Sequence, residues 1–539
     1  MNDLATPQNL KIEPLTDFSR PDARQAMAAA LEQVAGQFDR TYPPVIGDKP
    51  AATPKTIDSH NPSHRRQIVG RCGAATAEQA RQAVEAAAAA FPSWRDVEPG
   101  RRAQYLFDAA RVLRRRRFEL AAWQVYECGK PWREADADVA ETIDYCEFYG
   151  REMLRLAAPR RRDAPGEENV YFYEARGVTA VIAPWNFPMA ILCGMATAAL
   201  VTGNTVVLKP AEQSCVVGAK LMEVFEEIAL PPGVANFLPG VGEEVGPVLV
   251  EHPAVAVIAF TGSRAVGLNI NRAAAEPRPG QEQVKRVIAE MGGKNAVVVD
   301  DDADLDEAVH GVVASAFGYA GQKCSACSRV IVPAGLHDAF LARLVEATRS
   351  LKVAPAEDPG CTVGPVIDDE AQARILRTIE QGKSQGRLVY AGDVGALAQE
   401  GCFVAPHVFA DVDPSAPLAT EEIFGPVLTV LRSDGFARSL EIANGTAYAL
   451  TGGLYSRSPA HIEEAKRRFR VGNLYINRKI TGALVDRQPF GGFKMSGVGS
   501  KAGGPDYLLQ FVLPRTITEN TLRRGFAPDA AQPRRGGGE

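Results

Sequence analysis

Cys324 is the residue whose surroundings most invite a covalent reaction. It lies in Gly321-Gln322-Lys323-Cys324-Ser325-Ala326-Cys327. A thiol that follows a glycine turn and adjoins a lysine can ionise more readily than a free cysteine, whose pKa of about 8.5 leaves little thiolate at neutral pH. The same segment admits other readings. A lone cysteine is commonly a small buried hydrophobe. The Cys324/Cys327 spacing also fits a redox pair or half of a zinc site, although no second C-x-x-C or histidine pair accompanies it. The histidines (60, 64, 252, 310, 337, 407 and 461) include none in a cysteine-protease setting, which disfavours a Cys/His hydrolase.

Four further segments carry groups that could serve such a thiol. Glu290-Met291-Gly292-Gly293-Lys294 follows the apolar run from Arg286 to Ala289. A carboxylate at the end of a buried strand is a candidate general base, and Gly292 would let a flat ligand approach the backbone. Pro184-Trp185-Asn186-Phe187-Pro188 fixes an asparagine between two prolines. Held rigidly, its amide N–H can meet a developing oxyanion, and the competing role is a helix cap. Lys209 and Glu212 follow the strand from Thr205 to Leu208. They can hydrogen-bond ribose hydroxyls, or simply close a surface turn as an ion pair. Gly262 and Ser263 end the strand from Val255 to Phe260 and open a helix, whose N–H groups suit a phosphate. The G-x-G-x-x-G fingerprint is missing, so the ordinary Rossmann pattern does not apply.

These groups sit where short apolar runs alternate with helical stretches. Strands are expected at 178–183, 205–208, 235–238 and 255–260, with helices at 188–201, 216–229 and 243–250. That alternation predicts a parallel sheet covered by helices on both faces. A second alternating region runs from Ala296 to about Asn477. Upstream, helices are expected at 77–90, 101–120 and 135–155.

Composition narrows the function. Sixty basic against 65 acidic residues give a net charge of -5, with no electrostatic footprint for nucleic acid. The run Arg114 to Arg117 reads as a solvated helix face. Met189 to Val201 falls short of the roughly 18–20 residues of a spanning helix, and Met1 to Arg20 lacks the apolar core of a secretory signal. Scattered cysteines point to reduced thiols and a cytoplasmic protein.

Taken in order, these motifs and Glu421-Glu422-Ile423-Phe424-Gly425-Pro426 resemble the aldehyde dehydrogenase superfamily over about residues 40 to 515. The resemblance implies a Rossmann-like NAD-binding domain, an α/β catalytic domain and a small β oligomerisation arm. It assigns Cys324 as nucleophile, Glu290 as the base that hydrolyses a thioester, and Asn186 with the Cys324 N–H as oxyanion donors. It places Trp185, Lys209, Glu212, Gly262, Ser263, Gly292, Glu422 and Phe424 around the cofactor. Glu212 favours NAD, with NADP possible but less favoured.

Within the superfamily, Lys285 to Glu290, Lys323 to Arg329, Gly364 to Asp368, Thr481 to Gly492 and Ser500 to Pro505 are similar to members that oxidise L-glutamate γ-semialdehyde. The Val498 position usually holds threonine in those members. Their resemblance makes Ser325 and the backbone of Gly482 and Ala483 a carboxylate anchor. Phe187 and Phe490 become the walls, and Glu141 and Lys323 further pocket charges; no metal is implied. Expected segments are 1–157 (helical part and start of the NAD-binding domain), 158–177 (first part of the arm), 178–293 (NAD-binding), 294–481 (catalytic), 482–504 (anchor loop), 505–525 (second part of the arm) and 526–539 (a disordered tail). A homodimer or higher homo-oligomer and functional coupling to a separate proline dehydrogenase are also implied. The rival readings are a dehydrogenase of another short semialdehyde, such as succinate semialdehyde, and a catalytically silent protein of the same fold.

Overall fold

The computed structural model describes residues 10–522; the tail expected at 526–539 lies outside them. Among the described residues, two large sheets organise the chain. The first has eight strands in the order Gly497–Val498, Arg286–Glu290, Val255–Thr261, Val178–Ile182, Thr205–Lys209, Ala235–Phe237, Val45–Ile46 and Lys49–Pro50. Its five central strands run parallel, and the added edge strands are antiparallel. The near-continuous Val/Ala/Ile runs are those of strands buried on both faces. Helix Ala190–Val201 is apolar all round because it is enclosed all round: every residue except Ile191 is buried.

The second sheet orders seven strands: Arg387–Ala391, His407–Ala410, Val427–Ser433, Cys327–Pro333, Asn295–Val299, Thr451–Tyr455 and Asn473–Ile476. Only Arg387–Ala391 pairs antiparallel. Glu290 is the last residue of its strand in the first sheet, and Asn295 is the first of its strand in the second. The chain therefore crosses between the sheets in four residues. Strand C-terminal ends of the first sheet face this crossing, the place where such sheets open a crevice. A third, three-stranded sheet pairs Val512–Asn520 with Glu167–Ala175 and Arg160–Arg161.

Several expectations shift in detail. The helix expected at 101–120 is two helices, Pro99–Arg115 and Arg117–Cys128, hinged at Arg116. The arginine run at this hinge is a solvated face only in its first half: Arg114 and Arg115 are exposed, whereas Arg116 and Arg117 turn inward. Arg116 pairs with Glu119 and Glu223, and Arg117 with Glu13 and Asp136, at side-chain exposures of 14% and 12%. These ion pairs join the N-terminal segment to the helices behind it, which is why four like charges are tolerated in a row. The hairpin Thr56–Asn61/His64–Gly73 is a further addition to the expected elements.

Candidate active site

At the crossing between the sheets lies a cavity of about 100 Å³ whose wall includes Cys324, Ser325 and Glu290. Cys324 lies three residues before the start of the strand Cys327–Pro333, after a turn in which Tyr319 and Ala320 both take left-handed backbone angles (φ 53° and 52°). Two adjacent non-glycine residues in that region are held only where surrounding structure overdetermines them. Tyr319 is locked by its hydroxyl, which donates to the Cys128 carbonyl at 2.7 Å. Gln322 is locked by accepting the Ile367 N–H at 2.9 Å. Neither the backbone N–H of Cys324 nor those of Gly482 and Ala483 has an acceptor among the described residues.

Burial dominates the electrostatics. It pushes the Cys324 thiol up to about 12, with the Glu422 and Glu290 carboxylates adding to the rise and a hydrogen bond from the Ser325 backbone opposing it. The expected help from Lys323 is absent. Its ammonium pairs with Glu134 at 2.7 Å, and Lys323 lies outside the cavity lining. Lys323 is thus corrected twice: it does not lower the thiol pKa, and it does not face the substrate space. Glu290 is 9% exposed, and burial raises it to about 8 against the opposing pull of the Gly492 backbone and Lys501. Its Oε2 has no hydrogen-bond partner among the described residues. A buried carboxylate left half unsatisfied is costly in a folded protein and useful as a base.

Asn186 is not a helix cap. The next helix begins at Ala190, whose N–H is taken by Asp138 at 2.8 Å. The Asn186 amide instead reaches the turn before the cysteine, donating to the Gln322 carbonyl at 3.0 Å. One of its two N–H groups is spoken for, and the other has no acceptor among the described residues. Asn186 itself stands behind the cavity wall, two residues of turn from Cys324, rather than in its lining.

The expected pocket residues come together: Ser325, Gly482, Ala483, Phe187, Phe490 and Glu141 all line the cavity. Gly482 has φ +75°, a conformation a side chain would oppose. Burial raises Glu141 to about 8, with Asp138 adding to the rise. Sequence reasoning missed the tyrosines of the same wall, Tyr145, Tyr149 and Tyr507, which stack at centroid distances of 5.4 and 5.6 Å. Their signal was present: Glu141, Tyr145 and Tyr149 follow at i, i+4, i+8 on one helix face. Ile191, Gly194 and Met195, at i, i+3 and i+4, share one face of the facing helix.

A second, open cleft of about 800 Å³ lies along the first sheet, lined by Ile182, Lys209, Glu212 and the helices after residues 241 and 263. Lys209 and Glu212 form the ion pair that one reading anticipated, at 3.0 Å, and both line the cleft. The Gly242 N–H also donates to Glu212, at 2.6 Å. Gly246 faces open space where a Cβ would intrude on the cleft. This cradle, with Lys209 and Glu212 at the C-terminal end of a parallel strand, fits a dinucleotide. Ser263 caps its helix by accepting the Val266 N–H at 3.3 Å, and the N–H of Gly262 donates to the Glu290 carbonyl at 3.1 Å. Glu422 reaches over Gly292 and accepts the Gly293 N–H at 2.9 Å; a Cβ on Gly292 would lie 2.1 Å from its carboxylate. Phe424 meets Trp185 edge-on at 5.6 Å.

Cys327, the other member of the C-x-x-C, is buried in its strand and donates to the Arg329 carbonyl. All nine cysteines are free. No helix among the described residues is long and apolar enough to cross a membrane.

A thiol and a buried base at one cavity, an amide held against the turn before the thiol, and an open cleft along the first sheet define a class, and comparison with known proteins agrees. The aldehyde dehydrogenase family pattern matches residues 49–517, and the chain belongs to that family. It is 51% identical over 513 residues to the 1-pyrroline-5-carboxylate dehydrogenase of Geobacillus thermodenitrificans, spanning 95% of this chain and 99% of the relative. The Thermus 1-pyrroline-5-carboxylate dehydrogenase, solved with bound NAD, superposes with a TM-score of 0.92 at 49% identity, covering 95% of this chain and 99% of that one. Proline utilization A from Bdellovibrio bacteriovorus superposes at 0.95 with 53% identity. That match covers 97% of this chain but only 54% of the longer protein.

Proposed function

We propose that the chain oxidises L-glutamate γ-semialdehyde to L-glutamate with NAD, by covalent catalysis at Cys324. The observation that carries this reading is the content of one cavity. A thiol and a base share it with the hydroxyl of Ser325 and the backbone N–H groups of Gly482 and Ala483, which have no acceptor among the described residues. The first pair suits an aldehyde. The second set suits the α-carboxylate at the substrate's other end.

The Cys324 sulfur attacks the aldehyde carbon; an S–C bond forms, and the carbonyl oxygen takes the displaced π electrons. The thiol proton leaves to solvent before the attack, so that the thiolate is the nucleophile and Glu290 is kept for the later step. The oxyanion is met by the free Asn186 N–H and the Cys324 backbone N–H. Hydride acceptance from that carbon is the chemistry NAD supplies when bound. Once the carbon is a thioester, deprotonated Glu290 takes a proton from water as the water oxygen attacks, and the C–S bond breaks. Lys209 and Glu212 would hold the adenosine ribose, Gly262 and Ser263 a phosphate, and Glu422 the second ribose over Gly292. Phe424, backed by Trp185, would lie against the nicotinamide. Phe187 and Phe490 enclose the aliphatic chain, and Glu141 faces the amino-acid head group.

On this reading residues 178–293 bind cofactor, 294–481 catalyse, and 482–504 anchor the substrate. The three-stranded sheet, with Tyr171, Leu513 and Ile517 exposed, serves assembly into a homodimer or larger homo-oligomer. The substrate would be supplied by a separate proline dehydrogenase, in a reducing cytoplasm that suits nine free thiols. NADH production from L-glutamate γ-semialdehyde, succinate semialdehyde and short unfunctionalised aldehydes tests the substrate. The expected preference in kcat/KM for the first is tenfold or more, roughly what a lost polar anchor costs. A preference for aldehydes without the amino-acid head group contradicts it.

A further inference from the structure

Lys130 lies in the turn Cys128-Gly129-Lys130-Pro131 between two helices, outside every motif considered above. It is fully enclosed, as is its partner Asp138: their side-chain exposures are both 0%, and Nζ meets Oδ2 at 2.9 Å. An enclosed ion pair adds little net stability over an apolar pair of the same size, so its presence asks for a positional explanation.

The position supplies one. Nζ also donates to the backbone carbonyl of Asn186 at 2.7 Å and lies 4.1 Å from the ring centroid of Phe187. Asp138 takes the Ala190 N–H with its other oxygen, so the pair grips the segment from Asn186 to Ala190 at both ends. On its other side, the ammonium is 4.9 Å from the ring centroid of Tyr319. Tyr319 is the first of the two left-handed residues in the turn that leads to Cys324, and its hydroxyl returns to Cys128, two residues before the lysine. Between these contacts, the Asn186 amide crosses to Gln322. One buried cation thus touches the Asn186 carbonyl and the Tyr319 ring, one on each of the two segments from which the oxyanion donors come.

We infer that Lys130, held by Asp138, is a positioning residue that sets the Asn186 amide in register with the Cys324 N–H. It does not line the cavity and does not meet substrate. The inference rests on Asn186 being an oxyanion donor, and a double-mutant cycle separates the two ideas. Asn186→Ala, Lys130→Met and the double variant are assayed for kcat and KM with the holoenzyme. Asn186→Ala is expected to lower kcat by about 10²–10³. Lys130→Met is expected to lower kcat by about 10–100-fold with KM within about threefold. In the Asn186→Ala background the same change should cost less than about threefold, because the donor it positions is gone. An equal fold-loss in both backgrounds overturns the inference and makes Lys130 a general stabiliser. An unchanged kcat in Asn186→Ala overturns the oxyanion reading, and the inference falls with it. If Lys130→Met strands Asp138 and does not fold, Lys130→Met/Asp138→Asn replaces it in the cycle with the same expectations.

Discussion

Two buried polar regions adjoin the segment from Pro184 to Pro188, and they are built in opposite ways. Around Lys130 each hydrogen-bonding group is matched: ammonium to carboxylate and carbonyl, carboxylate to ammonium and helix N–H. Around Cys324 the matching is withheld. Among the described residues, Glu290 has an unpartnered oxygen, and the N–H groups of Cys324, Gly482 and Ala483 have no acceptor. Satisfied groups hold a geometry, and unsatisfied ones wait for atoms that the substrate brings. The contrast teaches that burial does two jobs here, fixing a frame on one side and raising the thiol and the carboxylate on the other.

The contrast can be broken most severely at the thiol. Cys324→Ser should reduce turnover to below roughly 10⁻³ of wild type, since the hydroxyl is a poorer nucleophile without a base tuned to it. Steady-state NADH production checks this, with an unaltered midpoint of thermal unfolding as the control. A smaller loss is expected at the anchor. Ser325→Ala should raise KM for L-glutamate γ-semialdehyde by about 10–100-fold, the range for a hydrogen bond to a charged group, and leave an aldehyde without a carboxylate unaffected. The pH dependence sharpens the comparison. Glu290 acts as a base only when deprotonated, so kcat should climb with pH and level off above about 8. That limb should vanish in Glu290→Gln.

The smallest effect is on stability. The folded protein holds the Glu290 proton up to about pH 8, whereas an unfolded glutamate releases it near 4.5. The native state therefore binds the extra proton between these values, and stability contributed by the neutral acid is lost as pH rises through about 8. Glu290→Gln removes that penalty. Its unfolding midpoint should exceed that of wild type by about 1–4 °C at pH 8.5, with the difference fading by pH 4.5. A midpoint difference independent of pH would contradict the assigned burial cost.

Much of the site was legible because its residues occupy strand ends. Lys209, Thr261 and Glu290 each terminate an apolar run, and the parallel sheet brings such ends to one edge. Asn186 was legible through its flanking prolines. Lys130 and Asp138 were not, because their partners lie 56 and 52 residues away at Asn186 and Ala190, and no local pattern marks a charge that will be enclosed. Lys323 misled for the same reason: adjacency to Cys324 in sequence says nothing of Glu134, 189 residues earlier, which claims its ammonium. The hinge at Arg116 was likewise hidden, since no glycine or proline marks it, and Glu223 and Asp136, which pair with Arg116 and Arg117 there, come from other helices.

The most direct test of the account is a rapid-mixing experiment on Glu290→Gln with saturating NAD and L-glutamate γ-semialdehyde. If Cys324 forms the thioester and Glu290 is the base that releases it, NADH should appear as a burst of about one equivalent per active site. Further production should then be slower than wild type by roughly 10²–10⁴-fold. Steady turnover at the wild-type rate, with no burst, would contradict the assignment of Glu290 and with it the division between a fixed frame and a reactive cavity.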